Sequence, residues 1–180
     1  MSADKNIDHL KGVLSWSNPG LVLAQRGASL ANDASETTIV TKSIPAGALA
    51  TNNILHVQHV FRYLNNSGVD RSITVRFTFG STLIFSNATV ASTNAVERIF
   101  LFDIYVCNAG ATNSQTIVVV KSTMFGNLSS AAAMTGDDLS SVEDTTAATA
   151  ITITWQHSAA VATVTADERF TKVELIGVTT

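Results

Sequence analysis

Cysteine is almost missing from this chain. Cys107 stands alone among 180 residues, so no internal disulfide can form and packing must hold the fold. Proline is nearly as rare, with only Pro19 and Pro45 present. Charge is scarce as well: Asp, Glu, Lys and Arg make up 14% of the chain, against roughly 25% in ordinary globular domains. Thr, Ser, Asn and Ala must therefore cover much of the surface, and such a mild surface suits close subunit packing better than long-range steering. The eleven Lys and Arg are scattered and the formal net charge is -3. A basic stripe is lacking, and no nucleic-acid partner is expected. No run of ~20 apolar residues exists to span a membrane. The opening MSADKNIDHLKG carries both signs of charge and no apolar stretch, so it reads as no signal peptide, and synthesis in a cytosol is expected.

What the chain does have is period-two patterning. In Ile54–Leu64, the side chains of Leu55, Val57, His59, Phe61 and Tyr63 share one face, and His56, Gln58, Val60 and Arg62 share the other. Asn65-Asn66-Ser67-Gly68 then turns the chain. Ile73, Val75, Phe77 and Phe79 alternate with polar neighbours, as do Ile151, Ile153 and Trp155. Further strands are expected at 36–43, 81–85, 96–107, 115–125 and 169–178, with Gly126 to Thr146 read as a long polar loop. No amphipathic helix alternates with these strands. The expected fold is all-β: an antiparallel two-sheet β-sandwich of jelly-roll type over residues 36–180. Residues 1–35 read as an N-terminal arm lying on its own sandwich or on a neighbouring subunit. Leu10, Val13, Leu14, Trp16, Leu21 and Leu23 are its expected partner-binding residues.

Reactive chemistry is hard to find. No G-x-S-x-G elbow is present, and Cys107, beside Val106 at the end of an apolar run, reads as a small buried hydrophobe. His56 and His59 fall on opposite faces of one strand because their spacing is odd, so they share no metal unless a bulge intervenes. Asp137, Asp138, Glu143 and Asp144 match no EF-hand spacing and read as a solvated acidic loop. Asp103 lies on the face of Ile99, Leu101 and Tyr105, where a carboxylate needs a donor; Arg62, Arg76 and Arg98 are the candidates. The glycines form no phosphate-binding loop. No catalytic residues, cofactor or metal are expected, and no small-molecule ligand.

Ile44-Pro45-Ala46-Gly47-Ala48-Leu49 with the long strand after it, Asn65-Asn66-Ser67-Gly68, Thr74-Val75-Arg76, and the Arg98–Tyr105 strand with Asn108-Ala109-Gly110 and Gln115 resemble small phage structural proteins with jelly-roll domains. The resemblance covers residues 36–180. It implies a virion component: a head-decoration (cement) subunit on the capsid surface, seated as a homotrimer and contacting the major capsid protein and copies of itself. The alternative it leaves open is a receptor- or carbohydrate-binding module of a tail or fibre.

Overall fold

A computed structural model describes residues 21–25, 27–49, 53–91, 96–125 and 133–177. They form eleven strands: β1 (Leu21–Gln25), β2 (Ser29–Ala31), β3 (Thr37–Ile44), β4 (Asn53–Asn65), β5 (Arg71–Phe79), β6 (Thr82–Ala91), β7 (Val96–Ala111), β8 (Ser114–Phe125), β9 (Ala133–Ser141), β10 (Thr149–His157) and β11 (Val164–Gly177). One sheet runs β1-β11-β4-β7-β8-β9, with β2 also on β11; the other runs β3-β10-β5-β6. Every pairing is antiparallel. The connections β2–β3, β3–β4, β4–β5, β6–β7, β9–β10 and β10–β11 each cross between sheets, the wrapping of a jelly-roll-type sandwich.

Alternation sets which side chains enter the core. Leu55, Val57, Phe61 and Tyr63 of β4 face Ile73, Val75, Phe77 and Phe79 of β5 and Ile151, Ile153 and Trp155 of β10, and all are buried. Phe100, Phe102, Ile104 and Val106 of β7 continue the layer. Phe61 is its hub, with its ring 5.2 Å from Phe100 and 4.9 Å from Trp155.

A polar chain threads this core. Trp155 Nε1–H donates to His59 Nε2 at 3.1 Å, which leaves the ring proton on Nδ1, 2.6 Å from Thr171 Oγ1. The Thr171 hydroxyl donates to Glu168 Oε1 at 2.5 Å, and Ala28 N–H donates to Glu168 Oε2 at 3.2 Å. The register shift between Glu168 and Phe170 makes this possible. One extra residue, Arg169, lets Glu168 and Thr171 both turn inward while Phe170 turns out. Burial holds the His59 pKa down at about 3.

The structure corrects the reading of 126–146 as a loop. Ala133–Ser141 is strand β9, paired along β8. Its composition (AMTGDDLSS) is poor in β-branched and aromatic residues, so propensity hid it, while ladder hydrogen bonds from β8 impose it. Within the segment read as an arm, β1 and β2 pair with β11 and complete the edge of the large sheet.

The acidic residues of this region also find separate uses. Glu143 Oε1 accepts from Ser81 N–H (2.8 Å), Ser81 Oγ (2.7 Å) and Thr82 Oγ1 (2.7 Å), tying down the β5–β6 turn, and these hydrogen bonds lower its pKa. Gly80, in that turn, has φ +61°, and a Cβ there would lie 2.3 Å from the Glu143 carboxyl. Gly80→Ala is therefore expected to displace Glu143 and to cost about 1–3 kcal/mol in urea unfolding. The same substitution at Gly47 (φ +70°, with open space around the Cβ position) meets no such neighbour and should cost less.

Candidate functional site

The outward face of the large sheet carries the densest arrangement of functional groups. Four strands contribute, because the β4–β7, β4–β11 and β7–β8 registers align their even-facing positions into rows. One row runs Glu174–His56–Tyr105–Val118, the next Lys172–Gln58–Asp103–Val120, and the next Phe170–Val60–Leu101–Ser122.

His56 is the centre of this face. Its Nε2 lies 2.5 Å from Asp103 Oδ1 and its Nδ1 lies 2.9 Å from Glu174 Oε1. Ionised carboxylates only accept, so each of these contacts needs an N–H on the ring nitrogen that faces it. Tyr105 stacks on the ring at 4.6 Å and an interplanar angle of 6°. Lys172 Nζ sits 2.7 Å from Glu174 Oε2, and Lys172 and then His56 hold the Glu174 carboxyl below its usual range. Burial, followed by the charge of Asp103, raises the Tyr105 phenol. The donor to Asp103 is thus His56. Arg62, Arg76 and Arg98, the candidates from sequence, do not supply it: Arg62 instead pairs with Asp167 and, at 3.6 Å, with Glu97, and Arg76 pairs with Glu36 at 3.2 Å.

Chemically, this cluster clamps three strands. Tyr105 Oη is the hydroxyl bonded to it, at 3.5 Å from Asp103 Oδ2, and the groups lie on a sheet face with no enclosing walls among the described residues. His56 and Lys172 meet the carboxyl groups of Asp103 and Glu174, and farther along Arg62 and Arg169 meet Asp167 and Glu97. The acidic side chains of these rows thus each have a partner on the face. Phe170 (39% exposed) lies in the row between the two clusters, while Val118 (40%) ends the His56 row and Ile176 (40%) lies in the row beyond it.

Cys107 also belongs to this outward face, against the expectation of a core position. It is half-buried, with its thiol 3.6 Å from Thr116 O. Asp137 and Asp138 project to opposite sides of β9, because Asp137 pairs with the core-facing Val119 and Asp138 with the outward Val118. Asp144 caps Thr146. The acidic quartet therefore does not converge. Among the described residues no group of three His, Cys, Asp or Glu could hold a metal ion. Of the arm residues, Leu10, Val13, Leu14 and Trp16 lie outside the described residues, whereas Leu21 and Leu23 are placed by their backbone pairing with Glu174 and Val173.

A second feature lies at the open side of the sandwich, between the edge strands β6 and β9. A cleft of about 240 Å³ is floored by Phe85, Phe102, Val119 and Leu139 and rimmed by Ser86, Asn87, Lys121, Thr135 and Asp137. Phe85 stacks on Phe102 at 5.4 Å and 11°. Lys121 Nζ donates to Asn87 Oδ1 at 2.6 Å and stands 5.8 Å from the centre of the Phe100 ring. Burial lowers the Lys121 pKa.

No protein-family model matches the chain, and no curated protein is similar to it in sequence. Among solved structures, it is similar to the CBM2 module of the evolved Dit protein of Lactobacillus casei BL23 phage J-1, with a TM-score of 0.44 and 10% identity over 87% of this chain and 78% of that one. It is also similar to a chain of infectious bursal disease virus, Gx strain, with a TM-score of 0.33 and 12% identity over 87% of this chain and 42% of that one.

Proposed function

We propose that this chain is a non-enzymatic structural subunit of a phage particle, a capsid-decoration protein that packs against copies of itself and against the head shell. The observation that carries the reading is the outward face of the large sheet. Its charged side chains are paired in place, with half-exposed Val118 and Ile176 beside the His56 cluster and Phe170 between that cluster and Arg62. Covering such a face leaves no charge unpaired, and the burial of its apolar side chains works against the hydration its ion pairs give up. The low overall charge supports the same use, as does the resemblance of residues 36–180 to small phage structural proteins. In this reading the outer face joins subunits, as a trimer, and residues 1–20, with Leu10, Val13, Leu14 and Trp16, carry attachment to the shell.

The two roles separate by mutation. Val118→Asp with Ile176→Asp places carboxylates on exposed positions, so folding is expected to survive. Burying them at a subunit contact costs several kcal/mol, so sedimentation velocity should show the oligomer replaced by monomer. Deleting residues 1–20 should leave the oligomer intact and abolish binding to heads stripped of the protein. The deletion stops at residue 20 because β1 and β2 belong to the sheet. A wild-type monomer, or a double variant that still sediments as an oligomer, would refute the assembly face. A truncated protein that still decorates heads would refute the arm.

A further inference from the structure

A primary amine and a carboxamide meet between the two sheets. Lys121 stands on β8 of the large sheet and Asn87 on β6 of the small sheet, and Lys121 Nζ lies 2.6 Å from Asn87 Oδ1. Alternation turns both side chains toward the inner side, Lys121 after Ile117 and Val119, Asn87 after Phe85. Both are half-buried. Packing alone does not ask for a lysine there, because its long stem loses much rotamer freedom when held. Asp137 shares this inner side. Lys121 pairs with Thr135 and Val119 with Asp137, so the carboxyl group stands diagonally across the β8–β9 ladder from the amine, and both line the cleft. The centre of the Phe100 ring is 5.8 Å from Nζ on another side. Desolvation lowers the Lys121 pKa and so raises the share of neutral, nucleophilic amine.

We propose that Lys121 and Asn87 become joined by an intramolecular isopeptide bond, with Asp137 carrying the proton between them. The hydrogen bond to Oδ1 holds Nζ beside Cγ, the carbon that bears that oxygen. Nζ attacks Cγ, and the N–C bond forms. Asp137 takes a proton from Nζ and passes it to Asn87 Nδ2. The Cγ–Nδ2 bond then breaks and ammonia leaves. Amine and carboxamide give amide and ammonia, so the step balances without an oxidant or a co-reactant. Free amines leave amides intact in dilute solution. Reactants held in contact can reach effective concentrations of about 10⁵–10⁸ M, and a single event in the life of each chain suffices. The product ties β6 to β8 across the open side of the sandwich. It gives a chain with one cysteine a covalent staple that needs no oxidising compartment. The pair lies between the sheets, away from the outward face, so the inference stands independently of the assembly reading.

The test is the intact mass of the full chain, followed by peptide mapping. With any removal of Met1 counted separately, the expected mass is about 17 Da below that of the sequence, one ammonia lost. Digestion should yield a branched peptide that joins the Lys121 and Asn87 segments. Lys121→Arg keeps the charge and can keep a hydrogen bond, but it forms no such amide. It should show its full sequence mass and a Tm lower by roughly 10 °C, because its unfolded chain holds no closed loop. Asn87→Ala should show its full mass as well. Asp137→Ala should slow the linkage about a hundredfold in freshly made protein sampled over time. Three results overturn the proposal: a parent chain at full sequence mass, an ammonia loss that maps to a ring-closed asparagine with no branched peptide, or an Asp137→Ala chain that links as fast as the parent.

Discussion

Trp155→Ala is expected to lower stability by about 3–5 kcal/mol, the range for removing a large aromatic from a packed core. Trp155 is fully buried, lies 4.9 Å from Phe61 and 5.5 Å from His59 by ring centroids, and donates the hydrogen bond that fixes the His59 tautomer. Removing it opens a cavity at the contact of the two sheets and leaves His59 Nε2 without its donor, a second cost of the same sign. For a domain of this size a loss of that order lowers Tm by roughly 6–20 °C. Val118→Ala, on the outward face, should stay within about 0.5 kcal/mol. Urea unfolding of the two variants side by side checks the layer assignment. A Trp155→Ala loss under about 1 kcal/mol would mean that β10 does not sit over β4.

The second large effect is loss of stability in acid. His59 has its folded pKa depressed from 6.5 to about 3 by burial. Below about pH 6.5 the unfolded chain takes up a proton that the folded chain refuses, so unfolding is favoured as pH falls. The loss approaches about 1.4 kcal/mol per pH unit and levels off once pH drops below the folded value. His157, also depressed by burial, adds to the same slope. Glu174, Glu143, Asp144 and Asp33 have lowered pKa values and act only at more acid pH, where they too become protonated. Between about pH 6 and 5 the histidines therefore dominate. His59→Phe should lower stability at pH 7, because Trp155 Nε1 loses its acceptor and Thr171 Oγ1 one of its two hydrogen bonds, and should remove about 1.4 kcal/mol per unit from the slope in that window. An unchanged slope in chemical denaturation at several pH values would show that His59 is not the buried group described.

Much of the fold was legible in the residues because alternation is local. Leu55 through Tyr63, Ile73 through Phe79 and Ile151 through Trp155 declare their faces without knowledge of their neighbours. The same pattern put His56 and His59 on opposite faces, and the structure places them so: one among carboxylates, the other in the core. What pairing decides was not legible. Alternation shows Asp103 as a carboxylate needing a donor, but that the donor is His56 follows from β7 lying beside β4. Strand β9 is not legible because AMTGDDLSS lacks the residues that pack on pleated surfaces, and β8 supplies what its side chains do not. The cleft depends on β6 and β9 being the edges of facing sheets, so no single segment could reveal that Asn87, Lys121 and Asp137 meet.

A cryo-EM map of phage heads carrying this protein would test the assembly reading most directly. The expected map shows the outward face of β4, β7, β8 and β11 covered by a neighbouring copy, with Val118 and Ile176 out of solvent. A map in which that face looks into open solvent, while the subunit is held through the small sheet, would contradict it.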